Sequence, residues 1–153
     1  MSTEYAWQEQ PPKVRLDHDV VKSRIVAAII DFVVLVIIAG VVLALTDGFQ
    51  KNTDGMYEVQ YSAGTIGLLF LITYGYYIAF EGLVGATFGK MFMGLQVVGD
   101  DGQPCGLGKA AVRNVLRIVD GFFFWIPGLV CMLVTPKHQR IGDMAAGTLV
   151  VRT

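Results

Sequence analysis

The stretch RIVAAIIDFVVLVIIAGVVLAL, residues 24–45, decides the fold. Its 21 residues from Ile25 to Leu45 would form a helix about 31 Å long, which matches the hydrocarbon thickness of a bilayer. A central aspartate such as Asp31 costs roughly 2.5–3.5 kcal/mol on insertion. The fifteen Leu, Ile, Val and Phe residues contribute about 4.5–9 kcal/mol in the opposite direction, so the stretch predicts a membrane span.

The composition agrees with a protein whose main partner is the lipid bilayer. The 153 residues are 54% hydrophobic and 16% charged, whereas soluble domains are roughly 45–50% apolar and about 25% charged. The net charge of −1 is uninformative about a partner, and no basic tract indicates nucleic acid. The first span is too long for a signal peptide and carries a carboxylate, so we expect it to be retained.

The rest of the chain divides around a second span. Residues 1–21 are predicted to be a flexible cytoplasmic tail, and residues 22–153 a membrane domain. Thr46–Tyr61 is a polar loop with a turn at Asp54-Gly55, and the second span runs from about Ser62 to Leu83.

Two short strands are predicted after the second span, at Leu95–Val98 and Thr148–Val151. We expect these strands to pair in a small cytoplasmic cap. Pairing would bring Asp143 beneath the charged residues of the membrane segments.

Lys and Arg near the spans predict the orientation, because cytoplasmic flanks are enriched in these residues. Lys51 is the only Lys or Arg residue in the loop 46–61. The flanks on the other side hold Lys13, Arg15, Lys22, Arg24, Lys90, Lys109, Arg113 and Arg117. We therefore expect a multi-pass protein of the bacterial inner membrane with a cytoplasmic N-terminus and an extracytoplasmic loop 46–61.

A third apolar run, Gly121–Val134, follows a helical pattern that begins at Leu107, and Pro127-Gly128 interrupts it. A helical hairpin that enters from the cytoplasm and returns explains both the interruption and the later basic residues. A third full span is the alternative. The predicted fold is thus an all-α membrane protein with two full transmembrane helices, a hairpin or third span, and a small pair of β-strands.

Ionisable side chains recur on single helix faces inside these segments. Arg24 and Asp31 are seven residues apart and share one stripe. Glu81 shares a face with Tyr74 and Tyr77, and a third face holds Arg113, Arg117 and Asp120. Ionisable residues at membrane depth are functional candidates, and a structural ion-pair network and a transport site would produce the same pattern.

Motifs for other chemistry are absent from the sequence. His18 and His138 lack metal-ligand spacing, the Gly85–Lys90 segment lacks the phosphate-loop pattern, and no nucleophile accompanies either histidine. We expect no metal, no cofactor and no enzymatic activity.

Four motifs occur along the chain in an order that resembles the pattern of the RDD family, a family of small bacterial membrane proteins named for one arginine and two aspartates. They are the Arg24…Asp31 pair, the Glu81…Thr87-Phe-Gly89-Lys90…Gly94-Leu-Gln-Val-Val98 stretch, the Arg113…Arg117…Asp120 face and the ending Arg140-Ile-Gly-Asp143…Val151. The resemblance covers residues 22–151 and maps the named residues onto Arg24, Asp31 and Asp143. It implies a membrane domain and suggests either cation/proton exchange or an accessory role beside membrane partners.

The residues and the resemblance together define a candidate ion or proton site, which comprises Arg24, Asp31, Glu81, Arg113, Arg117, Asp120 and Asp143. We expect Arg24 to bridge to Asp143 and Asp31 to meet Arg117 or Asp120. The first hypothesis is proton-coupled transport of a small cation by a homo-oligomer. The second is a membrane interaction or regulatory subunit, binding another membrane protein, whose charges form a structural clasp. A lipid-modifying enzyme is a third and weaker hypothesis.

Overall fold

The structure is a computed structural model that describes residues 18–46, 48–123 and 125–153; for residues 18, 19 and 119 only the backbone is described. Helix α1, His18–Leu45, contains a candidate span of 26 residues, Val20–Leu45. Residues 18–21, which we expected in the tail, belong to α1, and the expected tail at 1–17 lies outside the described residues.

The second candidate span, Ala63–Val84, has 22 residues and confirms the predicted one. It consists of helix α2, Ala63–Ala79, followed by a π-helical turn, Phe80–Val84. The Ser62 side chain caps α2 by accepting the backbone N–H of Thr65 at 3.0 Å.

Between the two spans, the predicted polar loop contains a short β-hairpin that the sequence did not indicate. Strands β1, Phe49–Lys51, and β2, Tyr57–Val59, pair antiparallel. The Asp54-Gly55 turn lies between them, and Gly55 has a φ of +80°, which glycine adopts without strain.

The predicted strand pair after the second span is confirmed. Helix α3, Phe88–Phe92, leads into β3, Leu95–Gly99, which pairs antiparallel with β4, Thr148–Arg152. The buried face of this sheet packs against the first turns of α1, and the shared apolar core is formed by Val20, Ala27, Leu95, Val97, Cys105, Ala110 and Val150. The sheet is therefore fixed to one end of the first span.

The third apolar region is bent. It consists of helices α4, Gly106–Phe122, and α5, Ile126–Val134. The helix axis bends by 113° between them. The predicted break at Pro127-Gly128 was wrong: Trp125 has a φ of +57° at the break, and Pro127 lies in the first turn of α5. Proline is tolerated there because its missing N–H would have no partner within the helix.

A final short helix, α6, spans Ile141–Ala145 and packs against α4 and α5. The long helices α1 and α2 expose large apolar side chains, including Phe32, Ile37 and Leu71, while charged side chains are buried near the sheet. Exposed apolar faces of this extent are typical of helices that contact lipid or other membrane helices.

Candidate functional site

Glu81 lies at the centre of the buried charged residues, in the π-helical turn that follows α2. Its side chain is 0% exposed. One carboxylate oxygen, Oε1, binds the Lys90 ammonium. The other, Oε2, accepts the Asn114 amide at 2.8 Å and lies 3.2 Å from Nε of Arg113. Because burial of an unpaired charge is costly, these contacts are what allow the carboxylate to remain inside.

Asp143, at the start of α6, is the second buried carboxylate of the site. Its Oδ2 atom binds the Arg24 guanidinium and accepts the backbone N–H of Arg140 at 3.1 Å. Its Oδ1 atom lies 2.9 Å from Nη2 of Arg113, in an ion pair rather than a well-directed hydrogen bond. The predicted bridge between Arg24 and Asp143 is therefore confirmed.

Arg113 joins the two carboxylates, because its guanidinium contacts both Glu81 and Asp143. Gly142 makes this contact feasible, since a Cβ atom there would meet the backbone of Arg113 at 2.5 Å. Ion pairs connect seven side chains, which we call the charge cluster: Arg24, Glu81, Lys90, Arg113, Arg117, Arg140 and Asp143.

Two members of the charge cluster are less tightly paired than the others. Arg117 lies 3.8 Å from Glu81 and stacks on the Tyr77 ring, with its guanidinium carbon 3.6 Å from the ring centroid. Arg140 Nε lies 4.0 Å from Asp143. Their side chains are 17% and 21% exposed, whereas the other five members are at most 5% exposed.

The charge cluster carries an excess of positive charge. It contains five basic side chains and two carboxylates, a formal charge of +3. Adding the two other buried carboxylates of the described residues, Asp31 and Asp120, still leaves +1. A positive site of this kind attracts anions and repels cations.

Titration behaviour outside the candidate spans reflects the same excess. Burial, followed by the neighbouring guanidiniums, lowers the pKa of Lys90 to about 7 against the opposing effect of Glu81. Burial and the other arginines likewise lower the pKa of Arg140 to about 9. For Asp143, burial favours a higher pKa, but Arg113, Arg24 and Arg140 together hold its pKa well below 3.8.

Asp31 lies apart from the charge cluster, and the expected contact with Arg117 or Asp120 was wrong. Its carboxylate accepts hydrogen bonds from the Tyr76 hydroxyl at 2.8 Å, the Thr87 hydroxyl at 2.6 Å and the Gly89 N–H at 2.8 Å. The residue is 2% exposed. Asp31 binds neutral donors rather than Arg117 of α4, because α3 is the helix that packs against this part of α1.

Two residues at the start of α3 make this arrangement feasible. Thr87 is the N-cap of α3, and its hydroxyl donates to Asp31 while accepting from the backbone N–H of Lys90. Gly89 lies directly against the carbonyl of Ala27, so closely that no Cβ atom would fit. This approach of the two backbones brings the Gly89 amide to the Asp31 carboxylate.

Asp120, at the end of α4, makes no ion pair within 4.0 Å in the described part of the chain, although Arg117 is on the same helix. The side chain is 3% exposed, and Oδ1 has no hydrogen-bond partner among the described residues. A Cβ atom on Gly128 of α5 would lie 2.8 Å from Oδ2. Arg117 is three residues before Asp120 in α4, but its guanidinium turns towards Tyr77 and Glu81.

Sequence reasoning did not assign several residues of the site. Lys90, Thr87 and Arg140 lie within the motifs quoted above, but no pattern in the residues assigned a role to their side chains. Asn114, 0% exposed, is adjacent to Arg113 in α4 and had no distinguishing signal. Helical spacing singled out Tyr77, on whose ring Arg117 stacks. It did not single out Tyr76, whose hydroxyl donates to Asp31.

Two surface clefts of about 230 Å³ each lie beside β3 around Gln96 and beside the hairpin around Ser62, and neither is lined by the buried carboxylates. In residues 18–46, 48–123 and 125–153, no group of three or more His, Cys, Asp or Glu side chains has a geometry suited to a metal ion.

Comparison with known proteins places this arrangement in a family. The family model described as the RDD family matches residues 20–147. Two proteins named "Proline-rich antigen homolog", from Mycobacterium tuberculosis strains CDC 1551 / Oshkosh and ATCC 25618 / H37Rv, are 29% identical over 150 residues, covering 84% of this chain and 61% of each relative. The chain thus spans less than two thirds of those relatives. No solved structure matches. The family match covers most of the chain, including Arg24, Asp31 and Asp143, and the protein therefore belongs to the RDD family.

Proposed function

We propose that this RDD-family protein is a non-catalytic membrane interaction or regulatory subunit, whose buried charges clasp the sheet and α6 to the two spans. The observation that carries the proposal is that the carboxylates of Asp31 and Glu81 are both buried and fully engaged by hydrogen bonds or ion pairs. Asp31 has three hydrogen-bond donors and 2% exposure, and Glu81 has several charged and polar partners at 0% exposure. Carboxylates held in this way act as fixed structural links.

The positive net charge of the charge cluster supports the same proposal. Its formal charge of +3 would repel a cation that approached Glu81 or Asp143 from the membrane face bearing the sheet. Each carboxylate is held by at least two basic side chains, Lys90 and Arg113 for Glu81 and Arg24 and Arg113 for Asp143, which would have to move before a cation could bind. A structural clasp needs no such movement.

The outward faces of the spans supply a surface for a membrane partner. Ile37 is 62% exposed and Leu71 70% exposed, and a Cβ atom added at glycine 40, 67 or 75 would meet no heavy atom within 4 Å. Small residues on exposed helix faces let another helix approach closely. We propose that a helix of another membrane protein packs here.

A cross-linking experiment in intact membranes tests this proposal. A photoreactive residue at Ile37 or Leu71 should form a cross-link to one defined membrane protein, and the same residue at buried Leu95 should not. Purified protein in vesicles should show no cation-dependent dissipation of a pH gradient. Cross-links to lipid alone, combined with measurable flux, would contradict the subunit assignment.

Proton-coupled transport of a small cation is a second candidate, and one observation favours it. Asp31 is held by neutral donors alone, so no basic side chain of the described residues compensates its charge within ion-pair distance. A carboxylate in that setting can exchange a proton for a cation. If this candidate is correct, a homo-oligomer would be needed to enclose a conduit, and Asp31→Asn should abolish exchange in vesicles. Retained exchange would remove Asp31 as the proton carrier.

For the topology, we propose a bacterial inner-membrane protein with its N-terminus in the cytoplasm and residues 46–61 outside. We further propose that α4 and α5 form a hairpin that enters and returns, rather than a third span. The 113° bend supports the hairpin, since a crossing segment is normally straighter. A reporter fused after Thr153 should be active only in the cytoplasm, and activity only outside would exclude the hairpin.

A further inference from the structure

The charge cluster has one side where its pairing is incomplete. Arg117 and Arg140 make its longest ion pairs, at 3.8 and 4.0 Å, and keep 17% and 21% of their side chains exposed. Each guanidinium presents several N–H donors in a planar fork, suited to two oxygens of one anion. Both therefore retain donors for an external anionic group.

Asp120 is three residues after Arg117 in α4, and it forms no ion pair with either arginine within 4.0 Å. Arg140 is the N-cap residue of α6, which packs against both α4 and α5. Asp120 is buried, yet Oδ1 has no hydrogen-bond partner among the described residues. A buried polar atom without a partner costs roughly 1–3 kcal/mol, and this oxygen can accept a hydrogen bond from a cationic group.

We propose that Arg117, Arg140 and Asp120 bind a phospholipid headgroup that carries both a phosphate and a primary ammonium, of which phosphatidylethanolamine is the simplest. The two guanidiniums bind the phosphate oxygens, and Oδ1 of Asp120 accepts the ammonium. A purely anionic ligand would leave Oδ1 of Asp120 without a hydrogen-bond donor, and a purely cationic ligand would be repelled by the arginines. A ligand with both groups satisfies all three side chains.

The position of the site favours a lipid over a soluble molecule with the same groups. Arg117 of α4 stacks on Tyr77 of α2, and Asp120 lies against Gly128 of α5, so the site lies between segments that can enter the membrane. Exposed apolar side chains such as Leu71 and Leu133 extend from the same helices. Basic pockets between membrane helices bind headgroups in this way.

The test uses the full chain purified in detergent and measures lipid retention by native mass spectrometry. Phosphatidylethanolamine, phosphatidylglycerol and phosphatidylcholine are each added in turn. The wild-type protein should retain phosphatidylethanolamine best, because the second lipid lacks the ammonium and the third lacks N–H donors. Arg117→Gln and Arg140→Gln should each lower its retention about 10-fold, as expected for loss of one charge-assisted contact.

Two further variants make the test specific. Asp120→Asn should remove the preference for phosphatidylethanolamine over phosphatidylglycerol. Lys137→Gln, which removes an exposed basic side chain paired with Asp100 at 4.0 Å, should change nothing. Equal retention of the three lipids by the wild-type protein would overturn the proposal even if an arginine variant failed to fold. Displacement by soluble phosphoethanolamine as effective as that by the lipid would overturn the lipid assignment.

Discussion

Replacing Asp31 with alanine should destabilise the protein strongly, because three donors lose their acceptor at once. Two of these donors, the Thr87 hydroxyl and the Gly89 N–H, are buried, whereas the Tyr76 side chain is partly exposed. A buried donor without a partner costs about 1–3 kcal/mol, so the two buried donors together predict a loss of about 2–6 kcal/mol in the free energy of unfolding.

Asparagine at the same position separates hydrogen bonding from charge. Its amide oxygen can replace the carboxylate atom that accepts from Tyr76 and Gly89, and only the bond from Thr87 is lost. Asp31→Asn should therefore cost about 1–3 kcal/mol, roughly half the effect of alanine.

Equilibrium unfolding in mixed micelles, followed by tryptophan fluorescence, measures both losses. Val33→Ala is the matched control, since Val33 is on the same helix and 51% exposed, and surface changes are usually within about 0.5 kcal/mol. If Asp31→Ala unfolded at the wild-type denaturant concentration, the carboxylate would not be holding α3 against α1. If asparagine were as damaging as alanine, charge rather than hydrogen bonding would be the reason.

Three other predictions concern the packing and the charge cluster. Gly89→Ala should unfold at markedly lower denaturant concentration than Gly67→Ala, because a Cβ at 89 meets the Ala27 carbonyl whereas a Cβ at 67 meets nothing within 4 Å; equal midpoints would show that α3 can shift. Glu81→Gln should cost about 3–5 kcal/mol by leaving Lys90 and Arg113 without their shared carboxylate, measured by the same unfolding method, and a loss below about 1 kcal/mol would mean that the pairing contributes little. The pKa of Asp143 is held well below 3.8 in the folded protein, so its contribution to stability is complete above that pH and falls as the pH drops below it; Asp143→Asn should flatten the acid limb of a stability–pH profile, and an unchanged limb would assign acid sensitivity to other groups.

Hydrophobic length and the order of charged residues predicted the larger features of this protein. The two spans, the β3–β4 pair and the contact between Arg24 and Asp143 all agree with the sequence. These features depend on segment length, on alternation, or on a charge that must find a partner in a low-dielectric interior, and each of those is visible in the residues themselves.

The partners of Asp31 could not be predicted in the same way. A carboxylate can be satisfied by an arginine or by several neutral donors, and the sequence does not say which segment will reach it. That choice depends on how closely α3 approaches α1, which Gly89 determines through backbone contact. The bend before α5 was misplaced for a related reason, since the left-handed conformation of Trp125 has no sequence signature.

The bridge between Arg24 and Asp143 joins residues 119 positions apart, which has a consequence for biosynthesis. The partners of Asp31, at positions 76, 87 and 89, all precede residue 143 in the chain and are therefore synthesised earlier. Arg24 has no carboxylate of residue 143 to pair with until that residue has been translated. A chain that ended between residues 89 and 143 would contain both candidate spans and the partners of Asp31, but the Arg24 guanidinium would lack its carboxylate.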